Sequence, residues 1–231
     1  MGKKLQNYLV ATVCLLLSLF CITACGKITH EVNFVVDGEV FFTLNTDGNE
    51  AVKYSKELRG ETNKLKQLAA YSETIEKTIV SAFDTDNYGI IKHSAGIFDD
   101  GKLLGISDMT VSISDSPYMP GAHGKLYDTA AGKFAVAIGD DLFRFELFKS
   151  FAICGAESVV VIRKGNLSEI NTILLRAYSY LLGLPILLVC KDKSVATTVK
   201  GELVVQSENN VFELLPLLEY SIKTTKIKLN K

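Results

Sequence analysis

Residues 134–190 read FAVAIGDDLFRFELFKSFAICGAESVVVIRKGNLSEINTILLRAYSYLLGLPILLVC, and the fold class turns on how this stretch is parsed. Three short apolar runs, FAVAIG (134–139), SVVVI (158–162) and PILLVC (185–190), are separated by longer segments with helical patterning. Short Val- and Ile-rich runs without polar alternation are the mark of strands buried on both faces. Helix-length spacers between them call for crossover connections and parallel pairing. The spacers are expected to be helices over Asp141 to Gly155 and Asn166 to Leu182. The first is apolar almost all round, so it is expected to be largely buried.

Working outward, TIVSAF (78–83), KLLGIS (102–107), MTVSIS (109–114) and ELVVQ (202–206) read as further strands. Helical patterning is expected around His93 and Ser94, over Lys125 to Ala131, after PILLVC and around Val211 to Ile222. Strands alternating with helices predict a Rossmann-like, doubly wound, mostly parallel α/β sheet with helices on both faces. Nearer the N-terminus, HEVNFVVDGEVFFTLN (30–45) alternates about Asp37-Gly38, which predicts a β-hairpin. The same stretch with Thr46-Asp47-Gly48-Asn49-Glu50 resembles the opening of small β-rich repeats of bacterial surface proteins. Residues 54–77 have leucines near helical spacing among Lys and Glu and are expected to form one or two surface helices.

The chain has 231 residues, 48% of them hydrophobic and 22% charged, enough for one ordinary domain with its own core. Five cysteines are too few for a disulfide scaffold. A formal charge of -1 excludes a bulk polycation and argues against non-specific nucleic-acid binding by the whole chain.

Residues 1–24 carry Lys3 and Lys4, then an apolar run, and no acid. This is the pattern of an export signal. Ile22-Thr23-Ala24-Cys25 resembles the bacterial lipobox, which implies a lipid on Cys25, a membrane anchor and a place in the cell envelope. The expected organisation is a signal peptide over 1–24, a lipidated N-terminus and hairpin over 25–53, a helical connector over 54–77, and the Rossmann-like domain over 78–231. Cys154 and Cys190 lie in apolar segments and are expected to be buried thiols. His30, His93 and His123 have no zinc-type spacing, and neither a metal nor a cofactor is called for.

Candidate ligand-binding groups are Asp84 after the first strand, Lys149 on the first long helix, and Gly165, Asn166 and Glu169 at the start of the second. A strand-to-helix turn is where a parallel sheet holds phosphate. Asn166 with Glu169 also reads as a capping box, which satisfies the helix end without a ligand. Asp84, Asp86 and Asn87 with His93 and Ser94 contain the members of a Ser-His-Asp set, but no G-x-S-x-G elbow accompanies them. Lys223, Lys226, Lys228 and Lys231 make a basic C-terminus, read as a solvated tail or a contact with an anionic membrane surface.

Read in order, Ile79-Val80-Ser81-Ala82 with Asp84 and His93-Ser94-Ala95-Gly96, then Asp100-Gly101-Lys102, then Tyr118-Met119-Pro120 with His123, Leu126 and Tyr127, are similar to the DprA/Smf type of DNA-processing protein. KSFAICGAESVVVI (149–162) and Gly165-Asn166-Leu167-Ser168-Glu169-Ile170 through Gly183-Leu184-Pro185 continue the resemblance, which extends to the LOG-type nucleotide hydrolases. It implies a Rossmann-like domain and, by family, binding of single-stranded DNA or a nucleotide N-glycosidase activity with Glu169 as catalytic candidate. Together with the export signal, the expectation is a lipid-anchored envelope protein. Its domain binds a small anionic ligand, a nucleotide or phosphate, or a partner, without turnover; the DNA-binding and glycosidase readings are the alternatives.

Overall fold

The computed structural model describes residues 28–36, 39–46, 52–112, 116–122, 124–129, 132–190, 194–204 and 211–213. Two mixed sheets carry the chain. Sheet A has the order β13-β1-β2-β4-β5-β6, with β3 added on β4. Its strands are β1 (Ile28–Val36), β2 (Glu39–Thr46), β3 (Val52–Lys53), β4 (Thr78–Asn87), β5 (Ile90–Asp99), β6 (Lys102–Asp108) and β13 (Val211–Glu213). Sheet B runs β12-β11-β10-β9-β8-β7, from β7 (Leu126–Thr129), β8 (Gly132–Ile138), β9 (Ser158–Ile162), β10 (Ile186–Val189), β11 (Ser194–Thr197) and β12 (Leu203–Val204).

Parallel pairing holds at the centre of sheet B, where β8, β9 and β10 are neighbours, and in sheet A between β2 and β4, β3 and β4, and β1 and β13. The doubly wound Rossmann-like sheet is otherwise incorrect, and the reason is local. Tyr88 and Gly89 have φ of 53° and 88°, and Asp100 and Gly101 have 47° and 73°. Two consecutive residues of positive φ make the tight hairpin loop that matches strand twist. They return the chain directly, so β4, β5 and β6 form an antiparallel meander. The segment holding His93 and Ser94 is therefore a strand, where a helix was expected. Residues 126–129 likewise pair antiparallel with β8, and 194–197 with β10, in place of short helices. At 211–213 the backbone is a strand parallel to β1; the remainder of the helix expected there lies outside the described residues. The hairpin about Asp37-Gly38 is present in the backbone, with Val36 opposite Glu39, and β2 joins it to β4 in one sheet.

Among the described residues five helical segments complete the fold: α1 (Tyr54–Leu58), α2 (Lys64–Ile75), a 3-10 turn (Gly139–Phe143), α3 (Phe145–Ile153) and α4 (Glu169–Leu182). Side-chain alternation sorts the strands into layers. Phe134, Val136 and Ile138 of β8, Val160 and Ile162 of β9, and Leu187 and Val189 of β10 face Val80, Ala82, Ala95 and Ile97 of sheet A in the core between the sheets. The intervening Ala135, Ala137, Val159, Val161, Ile186 and Leu188 pack under α3 and α4 with Phe148, Phe151 and Tyr178. On the far side α2 lays Leu68 and Ala69 on Ile79, Phe83 and Phe98. The order is helix, sheet, sheet, helices.

Candidate active site between the sheets

Alternation also decides which polar residues meet. Asp84 shares a face with Val80 and Ala82, and its cross-strand partner is His93, which shares a face with Ala95 and Ile97. Both side chains therefore point between the sheets. Lys164 lies two residues past Ile162 at the end of β9 and reaches them from sheet B. Its Nζ donates to Asp84 Oδ1 and Oδ2 at 2.7 Å each and to Tyr118 Oη at 2.8 Å. The Tyr118 hydroxyl donates in turn to Asp84 Oδ2 at 3.1 Å. His93 Nδ1 lies 3.1 Å from Asp84 Oδ1, so the tautomer that satisfies the pair carries its proton on Nδ1. The His93 and Tyr118 rings are tilted 5.4 Å apart, and the Lys164 ammonium stands 5.1 Å from the Tyr118 ring centroid.

Burial works to raise the Asp84 carboxyl, but hydrogen bonds from His93 and Lys164 and the charge of Lys164 outweigh it and hold the pKa below the ordinary value. Burial works to lower Lys164, yet its bonds to Asp84 and Tyr118 leave it raised. The site is thus an ionised carboxylate locked to an ammonium. His93 is only 3% exposed, and its Nε2 is buried without a hydrogen-bond partner. Such an atom is costly unless something uses it.

The surrounding backbone is fixed. Met109 N–H donates to His93 O and Gly121 N–H to Met109 O, both at 2.8 Å, while Met119 N–H donates to Ile91 O at 2.8 Å and anchors the segment carrying Tyr118. Asp141, 1% exposed, accepts from Thr110 N–H and Oγ1–H, Val111 N–H and Ile138 N–H, and so ties the segment after β6 to the end of β8. Burial raises its carboxyl against the pull of those bonds. Between them Gly139, φ 58°, turns β8 into the 3-10 segment. A strained strand-to-helix turn is where an elbow presents a nucleophile. Here it presents no side chain.

Of the residues singled out from sequence, Asp84 is at the centre of this cluster. Lys149 is exposed on α3, on the outer face of sheet B, and Gly165, Asn166 and Glu169 are exposed at the start of α4. The cap of α4 is Ser168, whose Oγ accepts from Asn171 N–H at 3.4 Å, in place of Asn166. Cys25 lies outside the described residues. Cys190 is buried as expected, but Cys154 is exposed, because it follows α3 as its C-cap and faces away from the sheet. Among the described residues no group of three or more His, Cys, Asp or Glu is placed to hold a metal, and no helix is long and apolar enough to cross a membrane.

No family model matches the chain, and no curated protein matches it. Solved structures do. A carbon-nitrogen hydrolase from Helicobacter pylori G27 is 17% identical with a TM-score of 0.59, over 72% of this chain and 70% of that one. Nit3 of Saccharomyces cerevisiae, a member of branch 10 of the nitrilase superfamily, is 19% identical with a TM-score of 0.58 over the same shares. An amidase from Nesterenkonia sp. AN1, whose structure shows a covalent adduct at its active site cysteine, is 15% identical with a TM-score of 0.54, over 60% of each chain. The fold is therefore an α-β-β-α sandwich like that of these nitrilase-superfamily structures. That finding corrects the resemblance to DprA/Smf and LOG-type proteins: the stretches quoted for it are real strands and turns, but the antiparallel meander links them in another topology. The non-catalytic ligand-binding reading, with its DNA-processing and N-glycosidase alternatives, was drawn from that ancestry and falls with it.

Proposed function

We propose that this protein hydrolyses a carbon–nitrogen bond of the amide class at the mouth between the sheets, with water as nucleophile. The observation that carries the reading is the buried, unpartnered Nε2 of His93 on a ring oriented by Asp84. The thiol named for the amidase has no counterpart among the described cysteines at this site. Cys154 precedes β9 and Lys164 follows it, so the two lie at opposite ends of a strand about 17 Å long. Cys190 belongs to the core under α3 and α4.

In the mechanism, His93 Nε2 takes a proton from water as its oxygen adds to the carbonyl carbon. The negative charge that collects on the carbonyl oxygen is offset by the Lys164 ammonium. The imidazolium is stabilised by Asp84 and returns its proton to the leaving nitrogen as the C–N bond breaks, giving a carboxylic acid and an amine. Tyr118 keeps Asp84 and Lys164 in register. Of the residues chosen from sequence, Asp84 keeps a role here and Glu169 has none. We also propose that an export signal and a lipid on Cys25 deliver this domain to the cell envelope, which detergent partitioning of the wild type against Cys25→Ser tests.

The full chain is assayed for amine or ammonia release on a panel of primary amides and N-acyl amino acids. His93→Gln is expected to lose about 10²- to 10⁴-fold, the usual worth of general acid–base catalysis, with an unchanged melt. Cys154→Ser and Cys190→Ser retain turnover. No turnover on the panel, or turnover abolished by either serine variant, overturns the reading.

A further inference from the structure

The orphan nitrogen of His93 has a neighbour that the mechanism does not use. A Cβ built on Gly139 would have as its three nearest atoms Met109 Sδ at 2.7 Å, His93 Cδ2 at 3.4 Å and Met109 Cγ at 3.8 Å. The thioether thus occupies the space in front of the bare elbow, beside the ring edge that bears Nε2. Met109 is 3% exposed and belongs to the core between the sheets. Its backbone is held from both sides, N–H to His93 O and C=O from Gly121 N–H. Gly121 is itself required there, since a Cβ on it would fall 2.1 Å from Asp108 Cβ. The main chain at Met109 is therefore held on both sides, while the side chain is unbranched with three rotatable bonds.

We propose that the Met109 side chain is the gate of this site. Folded inward, as in this structure, it fills the space before Gly139 and seals His93 Nε2 from water. Rotated outward about its own torsions, it admits water and an acyl group to that nitrogen without any movement of the backbone. A side chain at position 139 would press on the inward thioether, and the φ of 58° there already favours glycine. The gate gives access to the site proposed above and rests on that reading only for what enters. Whether His93 is sealed is testable with no substrate present.

The test uses diethyl pyrocarbonate, which acylates an imidazole nitrogen bearing a free lone pair, on the full chain at neutral pH, with modification of the His93 peptide followed by mass spectrometry. Wild-type His93 is expected to react at least tenfold more slowly than N-acetylhistidine. Met109→Ala brings it to within a few-fold of that reference, and Met109→Leu, of similar bulk, leaves it slow. Met109→Val shortens the side chain less severely and gives the same reading should the alanine variant fail to fold. Wild-type His93 reacting as fast as N-acetylhistidine overturns the gate, as does an unchanged slow rate in folded Met109→Ala or Met109→Val. Loss of amide turnover in His93→Gln bears on the hydrolase alone, and reagent protection bears on the gate alone.

Discussion

Across one shared core, the two sheets differ in what they tolerate. In sheet B every residue of β9 and β10 and the run Phe134 to Ile138 of β8 is buried, and Ser158 is the one polar residue among them. In sheet A, β4, β5 and β6 bury Thr78, Ser81, Thr85, His93, Ser94 and Ser107 within the strands and hold Asp84 and Asp108 partly buried. Parallel strands under helices are covered on both faces and read as unbroken hydrophobic runs. Sheet A instead pairs its polar groups, within the sheet and across to sheet B: Ser94 Oγ donates to Asp108 Oδ1 at 2.7 Å, Lys92 Nζ to Asp108 Oδ2 at 2.8 Å, and Ser107 meets Oη of Tyr127 on β7 at 2.8 Å. Sheet B supplies rigidity and the Lys164 ammonium, while sheet A supplies Asp84 and His93.

This division makes quantitative demands. The largest effect belongs to the helical side of sheet B: Phe148 is fully buried and packs against Phe151 and Tyr178, so Phe148→Ala is expected to cost about 3–5 kcal/mol in denaturant unfolding. Turnover per folded molecule stays constant. A large fall in turnover of the fraction still folded breaks the division.

The next effect is on the sheet A side and depends on pH. The folded Asp84 pKa lies below its ordinary value, so its contribution is complete above that value, about 3.9, and is lost as pH falls through the lower folded one. Asp84→Asn is expected to cost about 1–3 kcal/mol at neutral pH, discounted because Lys164 is 39% exposed. The gap between wild type and variant stays level from neutral pH to about pH 5 and narrows below about pH 4. A gap that widens on acidification has the wrong sign and removes the carboxylate–ammonium lock from the account.

The smallest effect sharpens the comparison at its periphery. Ser168→Ala removes the cap of α4 and is expected to cost about 0.5–2 kcal/mol, whereas Asn166→Ala costs nothing measurable, as differential melts would show. Equal losses would restore the cap at Asn166.

The parallel centre of sheet B was legible because its signal is local: three apolar runs with helix-length spacers, each one strand or helix long. The error in sheet A was local too. Asn87-Tyr88-Gly89 and Asp99-Asp100-Gly101 carry the same kind of turn signal in sequence as Asp37-Gly38, and weighing all three alike yields the meander. Only Asp84 of this site stands among the ligand groups expected from sequence; His93 enters there solely as a member of a Ser-His-Asp set that lacks an elbow. Ser94 was grouped with them wrongly, because period-two alternation sends it to the opposite face from His93. Lys164 is 80 residues from Asp84, and Tyr118 is 34. Their meeting depends on how one sheet packs on the other, for which no motif spacing exists.

The exposure of Cys154 has a practical side. After Cys25 the chain contains two cysteines, Cys154 in the open and Cys190 in the core. A domain beginning after Cys25 therefore offers one exposed thiol to a maleimide dye, at the end of β9 opposite Lys164. A fluorophore or spin label attached there reports tumbling, immobilisation on a surface or self-association while leaving the chemistry between the sheets untouched.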